Sequence, residues 1–319
     1  MPLSRRCLLS SSMRQLSQKI ATYYGVAAVL CWSTVATAFK ISLQYLTPVQ
    51  LILVASTVSI VVLVIWLATQ GKLSELWKQQ KNVYIVSILF GFLNPTLYYV
   101  LLFEAYDRLP AQEAQALNYS WAIVMTFLAV PILKQKLHWY DYLAAAMCYL
   151  GVVVIATRGD LLSMDFANQI GVVLALLSTV VWATYWIFNQ KDKRDPILGL
   201  CLNFIFALPM LIVLALLKGE LNFIDVQWKG LFAGVYVGVF EMGLAFIFWL
   251  AAMKRAENTA RLANLIFVSP FLSLVFIYLI LGEAILPSTV TGLVLIILGL
   301  VSQQWFTSMR PKVKLLDEG

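Results

Sequence analysis

The sequence predicts an all-α membrane protein with ten transmembrane helices arranged as two inverted five-helix repeats. Three observations predict it. Of 319 residues, 61% are hydrophobic and 12% charged, against roughly half and a quarter in soluble domains, so the apolar surface cannot all be hidden from water in one compact body. The charges gather between apolar runs of about twenty residues, the length that crosses about 30 Å of hydrocarbon at 1.5 Å per residue. The two halves also resemble each other at an offset of roughly 147 to 150 residues.

The chain opens on a basic, Ser-rich segment, residues 1–19, whose one apolar patch, Cys7-Leu8-Leu9, is too short for a signal-peptide core. Met13 is a second candidate start. The first run, Ile20–Phe39, lacks a convincing cleavage signal and is expected to stay as a helix. Thr47–Thr69 begins with Pro48 at a position where a missing N–H costs little. Val83–Phe103 carries Asn94-Pro95 at mid-span. Pro110–Leu133 again begins on proline, and Trp139–Thr157 has the shortest apolar stretch. These five form a first repeat, 20–157, and residues 158–168 form a connecting loop. The second repeat, 169–307, holds Gln169–Gln190, Pro196–Leu217, Gly230–Met253, Thr259–Gly282 and Pro287–Thr307, followed by a tail, 308–319. Pro95, Pro209 and Pro270 fall inside spans and predict kinks. Barrel strands, the other way to satisfy backbone groups in lipid, would alternate apolar and polar residues in segments of about ten. These runs are continuously apolar and twice that length.

Lys and Arg fall about 17 against 5 between alternate connections, a bias that places both termini in the cytoplasm. The same bias accounts for the net charge of +7, so no nucleic-acid partner is implied. Cys31, Cys148 and Cys201 lie in apolar runs, Cys7 stands alone near the start, and none forms a Cys-x-x-Cys pair. Neither a disulfide framework, a metal site nor a cofactor is expected. The one histidine, His138, sits in a basic loop beside Lys134 and Lys136.

The repeat is carried by Trp32-Ser33-Thr34 against Trp182-Ala183-Thr184, by the segment from Ala105 against that from Ala252, and by Ala144 and Gly151 against Gly292 and Gly299. Five spans per copy is an odd number, so the second copy enters the membrane from the opposite side. Two such halves can exchange conformations of similar energy and open a midplane site to one side and then the other.

Glu241 lies near the middle of the eighth span, where a charge costs roughly 2.5–3.5 kcal/mol or more. Gly234, Gly238, Glu241 and Ala245 share a helix face with a Gly-x-x-x-Gly packing surface. Glu241 reads either as a substrate or proton site or as a hydrogen-bonded structural glutamate. The repeat sets Asn94 opposite it, with Tyr98 one turn along; a plain kink with a satisfied amide is the alternative for Asn94. Asn118 shares a face with Trp121 and lies beside Tyr119. An amide beside an aromatic plane suits a small polar or zwitterionic ligand, and interface anchoring is the alternative for the aromatics. Trp32 and Asn264 complete the expected cavity lining. Glu113 and Arg261 begin the fourth and ninth spans, near opposite faces and on the order of 20 Å apart. They are expected not to pair; each lines one entrance or is a solvated helix end. Glu283 is expected to meet loop water or a neighbouring helix terminus.

Ten helices in two halves, Cys31-Trp32-Ser33-Thr34, and Pro270 followed by Gly282-Glu283 and then Gly292 and Gly299 resemble the EamA-type proteins of the drug/metabolite transporter superfamily, over about residues 20 to 307. The stretch Asn118-Tyr119-Ser120-Trp121 is similar to the Asn-Tyr-x-Trp-Pro segment of aromatic amino-acid exporters in that superfamily, with Ala122 where those carry proline. Leu133-Lys134 stands in the first half where the second has Gly-Glu. The resemblance implies a bacterial inner-membrane exporter of amino acids or related metabolites with a central cavity between the halves. Its partners are then a small-molecule substrate, an amino acid among the candidates, and the lipid bilayer; monomer and homodimer are both open. An importer or uniporter of another solute, for example a nucleotide sugar, is the rival, although Arg261 is the one clear cavity cation for an anionic substrate. An intramembrane enzyme would need paired acids, histidine clusters or a Gly-x-Ser-x-Gly nucleophile, and the sequence has none of these.

Overall fold

The computed structural model describes residues 3–134, 136–161, 168–224, 226–256 and 265–309, with side chains from Ser17 onward. Its apolar helices are α1 (Leu3–Leu43, apolar over Ser17–Leu43), α2 (Pro48–Thr69), α3 (Lys81–Arg108), α4 (Ala111–Leu133) and α5 (Trp139–Ala156) in the first half. The second half holds α6 (Gln169–Asn189), α7 (Pro196–Lys218), α8 (Trp228–Arg255), α9 (Ser269–Leu281) and α10 (Pro287–Ser308). All but α9 are long and apolar enough to cross a bilayer, and the expected start of α9 at Thr259 lies outside the described residues. No strand occurs among the described residues.

Helix starts follow from local chemistry. Thr47 and Gln50 form a reciprocal capping box ahead of Pro48, with Thr47 Oγ1 accepting from the Gln50 N–H at 3.2 Å. Asp195 caps α7 ahead of Pro196, accepting from the Ile197 and Leu198 N–H groups at 3.1 and 3.2 Å. Burial raises the Asp195 pKa, but the hydrogen bond and charge of Lys72, with those two amides, outweigh it and hold the carboxyl below its usual range.

Each half contributes five apolar helices among the described residues, and contacts between the halves come in the symmetric pairs that two inverted copies require: α1 with α8 and α3 with α6, α2 with α8 and α3 with α7. The α5–α10 crossing shows the relation most directly. Gly151 meets Gly292 and Ala144 meets Gly299, contacts that interchange under an offset of 148 residues. Cys148 Sγ donates to the carbonyl of Ile296, its own counterpart, at 3.4 Å, which places this pair on the pseudo-twofold axis. A Cβ on Gly292 would stand 2.6 Å from the Gly151 carbonyl oxygen, and one on Gly299 2.8 Å from that of Ala144. Only bare backbones fit at that separation.

The kinks expected at proline divide. Asn94 leaves helical geometry (φ −141°, ψ 115°) within the wide turn Phe92–Leu97, as Pro95 predicts. Pro209 does not break α7, which stays helical from Pro196 to Lys218; a single missing N–H is absorbed within the turn. Pro270 meets its expectation: the helix is interrupted just before it and restarts with Pro270 in the first turn of α9, where its fixed φ is favourable. The irregular turn is just ahead of it, at Phe267–Val268. Its counterpart at an offset of 148 is the turn at Tyr119–Ser120 inside α4. Wide π-type turns also occur at Val237–Leu244 in α8 and Ile277–Leu281 in α9.

Candidate functional site

Between the halves lies a cavity of about 280 Å³. Its chemistry begins with the wide turn of α8. A π-type turn shifts the register of side chains that an α-helix would hold in place, and such turns cluster at functional sites. This one presents Glu241 to the cavity wall at 9% exposure. Gly238 lets α8 seat directly on α2, where a Cβ would stand 2.5 Å from the Ala55 carbonyl oxygen. The Glu241 carboxylate accepts from the Tyr99 hydroxyl through Oε1 at 3.0 Å, while Oε2 is buried without a protein partner. Among the described residues around the cavity there is no Lys or Arg, and Glu241 is the one carboxylate.

The walls are aromatic. Tyr98 stacks on Trp182 at 4.4 Å and 24°, and Trp186 meets Trp182 edge-on. On the opposite wall Trp32 packs against Trp249 at 5.5 Å. Phe246 stands between the two sides, edge-on to Trp32 at 6.2 Å and to Trp182 at 6.3 Å. The repeat-related tryptophans, Trp32 and Trp182, therefore face one another across the cavity. Polar groups enter from α3 and α4: the Tyr98 hydroxyl donates to Asn118 Oδ1 at 3.3 Å, and Asn118 Nδ2 donates to Ser178 at 3.0 Å. Gln115 lies one turn before Asn118 on the same wall.

The two ends of the cavity differ. Towards the face where α1 begins, Met125 and Gln190 are shared with a wider vestibule of about 880 Å³. Towards the opposite face, Phe39 packs on Phe103 and Tyr106 at 4.9 and 5.2 Å and closes the floor. Three polar latches lie beyond it. Lys40 Nζ donates to the carbonyls of Tyr106 and Leu109 at 2.6 and 2.8 Å, satisfying the end of α3. Glu283 accepts from the N–H groups of Ala111 and Gln112 at the start of α4, at 3.1 and 3.5 Å, so the terminus it meets is that of α4. Gln112 returns the tie, donating to Ala284 O and accepting from the Leu286 N–H, both at 2.8 Å. Glu113, 1% exposed, pairs with Arg158 at 2.9 Å, so it is not a solvated helix end, and the pair borders a surface pocket of about 460 Å³ at this end.

Trp32, Tyr98, Asn118, Tyr119 and Glu241 are thus gathered around one cavity. Asn94 is not among its lining: it is fully buried at the break in α3, beside Tyr185. Asn264 and Arg261 lie outside the described residues. Sequence reasoning missed Tyr99, Gln115, Trp186 and Trp249. It noted Trp182 only as a repeat match, although that match to Trp32 was the available signal.

Comparison with known proteins matches the EamA-like transporter family over residues 19–157 and 169–302. An uncharacterized transporter of Clostridium kluyveri is 29% identical over 218 residues, 66% of this chain and 69% of that one. The aromatic amino acid exporter YddG of Ancylobacter novellus is 27% identical over 267 residues, 81% of this chain and 88% of its own. A probable terminal-alkyne amino-acid exporter of Streptantibioticus cattleyicolor is 26% identical over 279 residues, 85% of this chain and 89% of that one. One crystal structure superimposes with a TM-score of 0.63 at 23% identity, covering 90% of this chain and 97% of that one, which shows the shared fold.

Proposed function

As this chain belongs to the EamA-like transporter family and is a multi-pass membrane transporter, we propose that it exports amino acids or related small metabolites across a bacterial inner membrane by alternating access, with both termini cytoplasmic. The observation that carries this reading is the cavity between inverted halves, aromatic on its walls, with Glu241 as its one carboxylate among the described residues. An ammonium group would pair with Glu241 and lie against aromatic faces, an attraction worth about 0.5–2 kcal/mol. The amides of Asn118 and Gln115 would take a polar group at the other end. Glu241 is equally suited to hold and release the proton that couples transport.

The Lys/Arg bias supports a cytoplasmic assignment for the face onto which the cavity opens. The form described is then the loading state of an exporter, with the opposite gate latched. Relatives named as amino-acid exporters support the substrate class. The rival anionic cargo, such as a nucleotide sugar, is disfavoured by the cavity's lack of cations among the described residues and by its 280 Å³, at the lower edge of the roughly 300–1,000 Å³ usual for small-molecule pockets. Reconstituted protein carrying Glu241→Gln tests the reading. Gradient-driven transport is expected to fall at least tenfold, and substrate counterflow without a proton gradient separates binding from coupling. Unchanged transport with unchanged pH dependence would remove Glu241 from the mechanism.

A further inference from the structure

A second cavity, of about 790 Å³, lies on the outer flank of the bundle between the first half of α3 and the α6–α7 connection. Its wall is apolar and exposed, with Val86, Leu89 and Phe188 turned outward. Its mouth is charged: Lys191, Lys193 and Arg194 line it with a single carboxylate, Asp192. Asp192 is committed to Arg194, which it meets at 2.7 Å, and Arg194 is further held by Ser87 and by the Phe90 ring at 5.3 Å. Among the described residues Lys191 reaches only the Ile132 carbonyl, at 3.4 Å, and both lysines are exposed. From Asn82 at the mouth to Leu93 at its inner end the groove follows twelve residues of α3, a rise of about 16 Å, close to half of the roughly 30 Å hydrocarbon thickness.

The repeat provides an internal control. At an offset of 147, Asn82–Leu93 corresponds to Lys229–Phe240 in α8, and at 150 Lys191–Arg194 corresponds to Ile41–Gln44. That second connection carries no charged residue, and Tyr45 fills its mouth, so close that a Cβ on Gly230 would stand 2.5 Å from it. The counterpart has Lys229 where this groove has Asn82, but Tyr45 fills its mouth, so among the described residues an open groove with Lys191 and Lys193 at its mouth occurs in one half alone.

We propose that this groove is a binding site for one anionic phospholipid of the surrounding leaflet. One acyl chain lies along α3 over Val86 and Leu89, and the phosphate is held by Lys191 and Lys193. The occupant is a lipid because an exposed apolar wall one leaflet deep ends in a net-positive mouth, a pairing that matches the two ends of a phospholipid and not a soluble phosphate. The inference is independent of the transported substrate and of Glu241.

Native mass spectrometry of the full-length protein in detergent tests it, titrating phosphatidylglycerol, phosphatidylcholine of the same chains, and glycerol 3-phosphate. Phosphatidylglycerol is expected to fill the tightest site about thirtyfold better than phosphatidylcholine, roughly fivefold for each of two cations at the membrane surface. Lys191→Gln with Lys193→Gln, both exposed and neutral to folding, is expected to abolish that preference. Leu89→Trp, which fills the groove, is expected to weaken both lipids. Equal affinity for the two lipids, or a preference that survives the double variant, would overturn the proposal. Glycerol 3-phosphate competing at the same site as effectively as the lipid would also overturn it, by assigning the mouth to a soluble anion.

Discussion

Asn94 in α3 and Glu241 in α8 are counterparts in the two halves, 147 residues apart, and both sit in wide turns of helices that are otherwise regular. Their surroundings differ. Glu241 reaches the cavity wall and meets Tyr99 of the opposite half, while Asn94 is sealed beside Tyr185. The wide turn occurs in both copies, and an ionisable side chain facing the cavity stands in one. Glu241→Gln is the sharpest way to break this comparison. Glutamine keeps the shape and can still accept from Tyr99, so stability is expected to hold while transport falls at least tenfold. Asn94→Ala removes two buried polar atoms that have no hydrogen-bond partner among the described residues, so stability is expected to stay within about 1 kcal/mol of wild type, read by thermal unfolding, with transport per folded molecule changed less than threefold. Transport lost at wild-type stability in Asn94→Ala would make the two positions functional equals.

The two ends of the cavity make a second comparison. The end near α1's start is open, and the other is tied by Lys40, Glu283 and the Glu113–Arg158 pair. Arg158→Gln removes the partner of a carboxylate that is itself 1% exposed. Stranding a buried charge can cost about 3–5 kcal/mol, but Arg158 is half-exposed, so solvent screening brings the expected effect nearer 1–2 kcal/mol. The latched state loses that amount. Labelling of a cysteine introduced as Ala36→Cys, in the cavity wall, from the latched side, is expected to rise about tenfold. No change in labelling would show that the pair stabilises the fold without closing the gate.

How much of this was legible in the sequence varies with the kind of constraint. Span positions were readable because lipid tolerates few alternatives, and Pro48, Pro196 and Pro287 mark starts directly. The break at Asn94 was readable through Pro95. The wide turn at Glu241 has no proline and was not expected; the residue was singled out by its charge at mid-span, not by its backbone. The turn at Tyr119–Ser120 left no signal, since it contains neither glycine nor proline, whereas its counterpart at Phe267–Val268 was marked by Pro270. Trp186 and Trp249 escaped because an aromatic in a uniformly apolar run gives no direction: lipid and cavity faces share one composition. Glu113 was weighed against Arg261 through the offset, but its partner Arg158 follows α5, in a connection that the repeat does not mark.

The smallest expected effect concerns the ends of α4 and α9, where Lys134 and Gly282 are counterparts at 148 residues. Both adopt the left-handed conformation that closes a helix, at φ 56° and 68°. A side chain in that region costs about 1–2 kcal/mol, and a Cβ on Gly282 would meet nothing within 4 Å. Gly282→Ala is therefore expected to lose about 1 kcal/mol through backbone strain alone, without touching transport. Lys134→Gly relieves the same strain but loosens the unfolded chain by about 0.5–1 kcal/mol, so its net gain is expected to stay below about 0.5 kcal/mol. Thermal unfolding of the two variants checks both. A loss in Gly282→Ala well beyond 1 kcal/mol would mean that Glu283, the next residue, has been pulled from the N-terminus of α4, and that this cap belongs to the latch and not merely to the helix it ends.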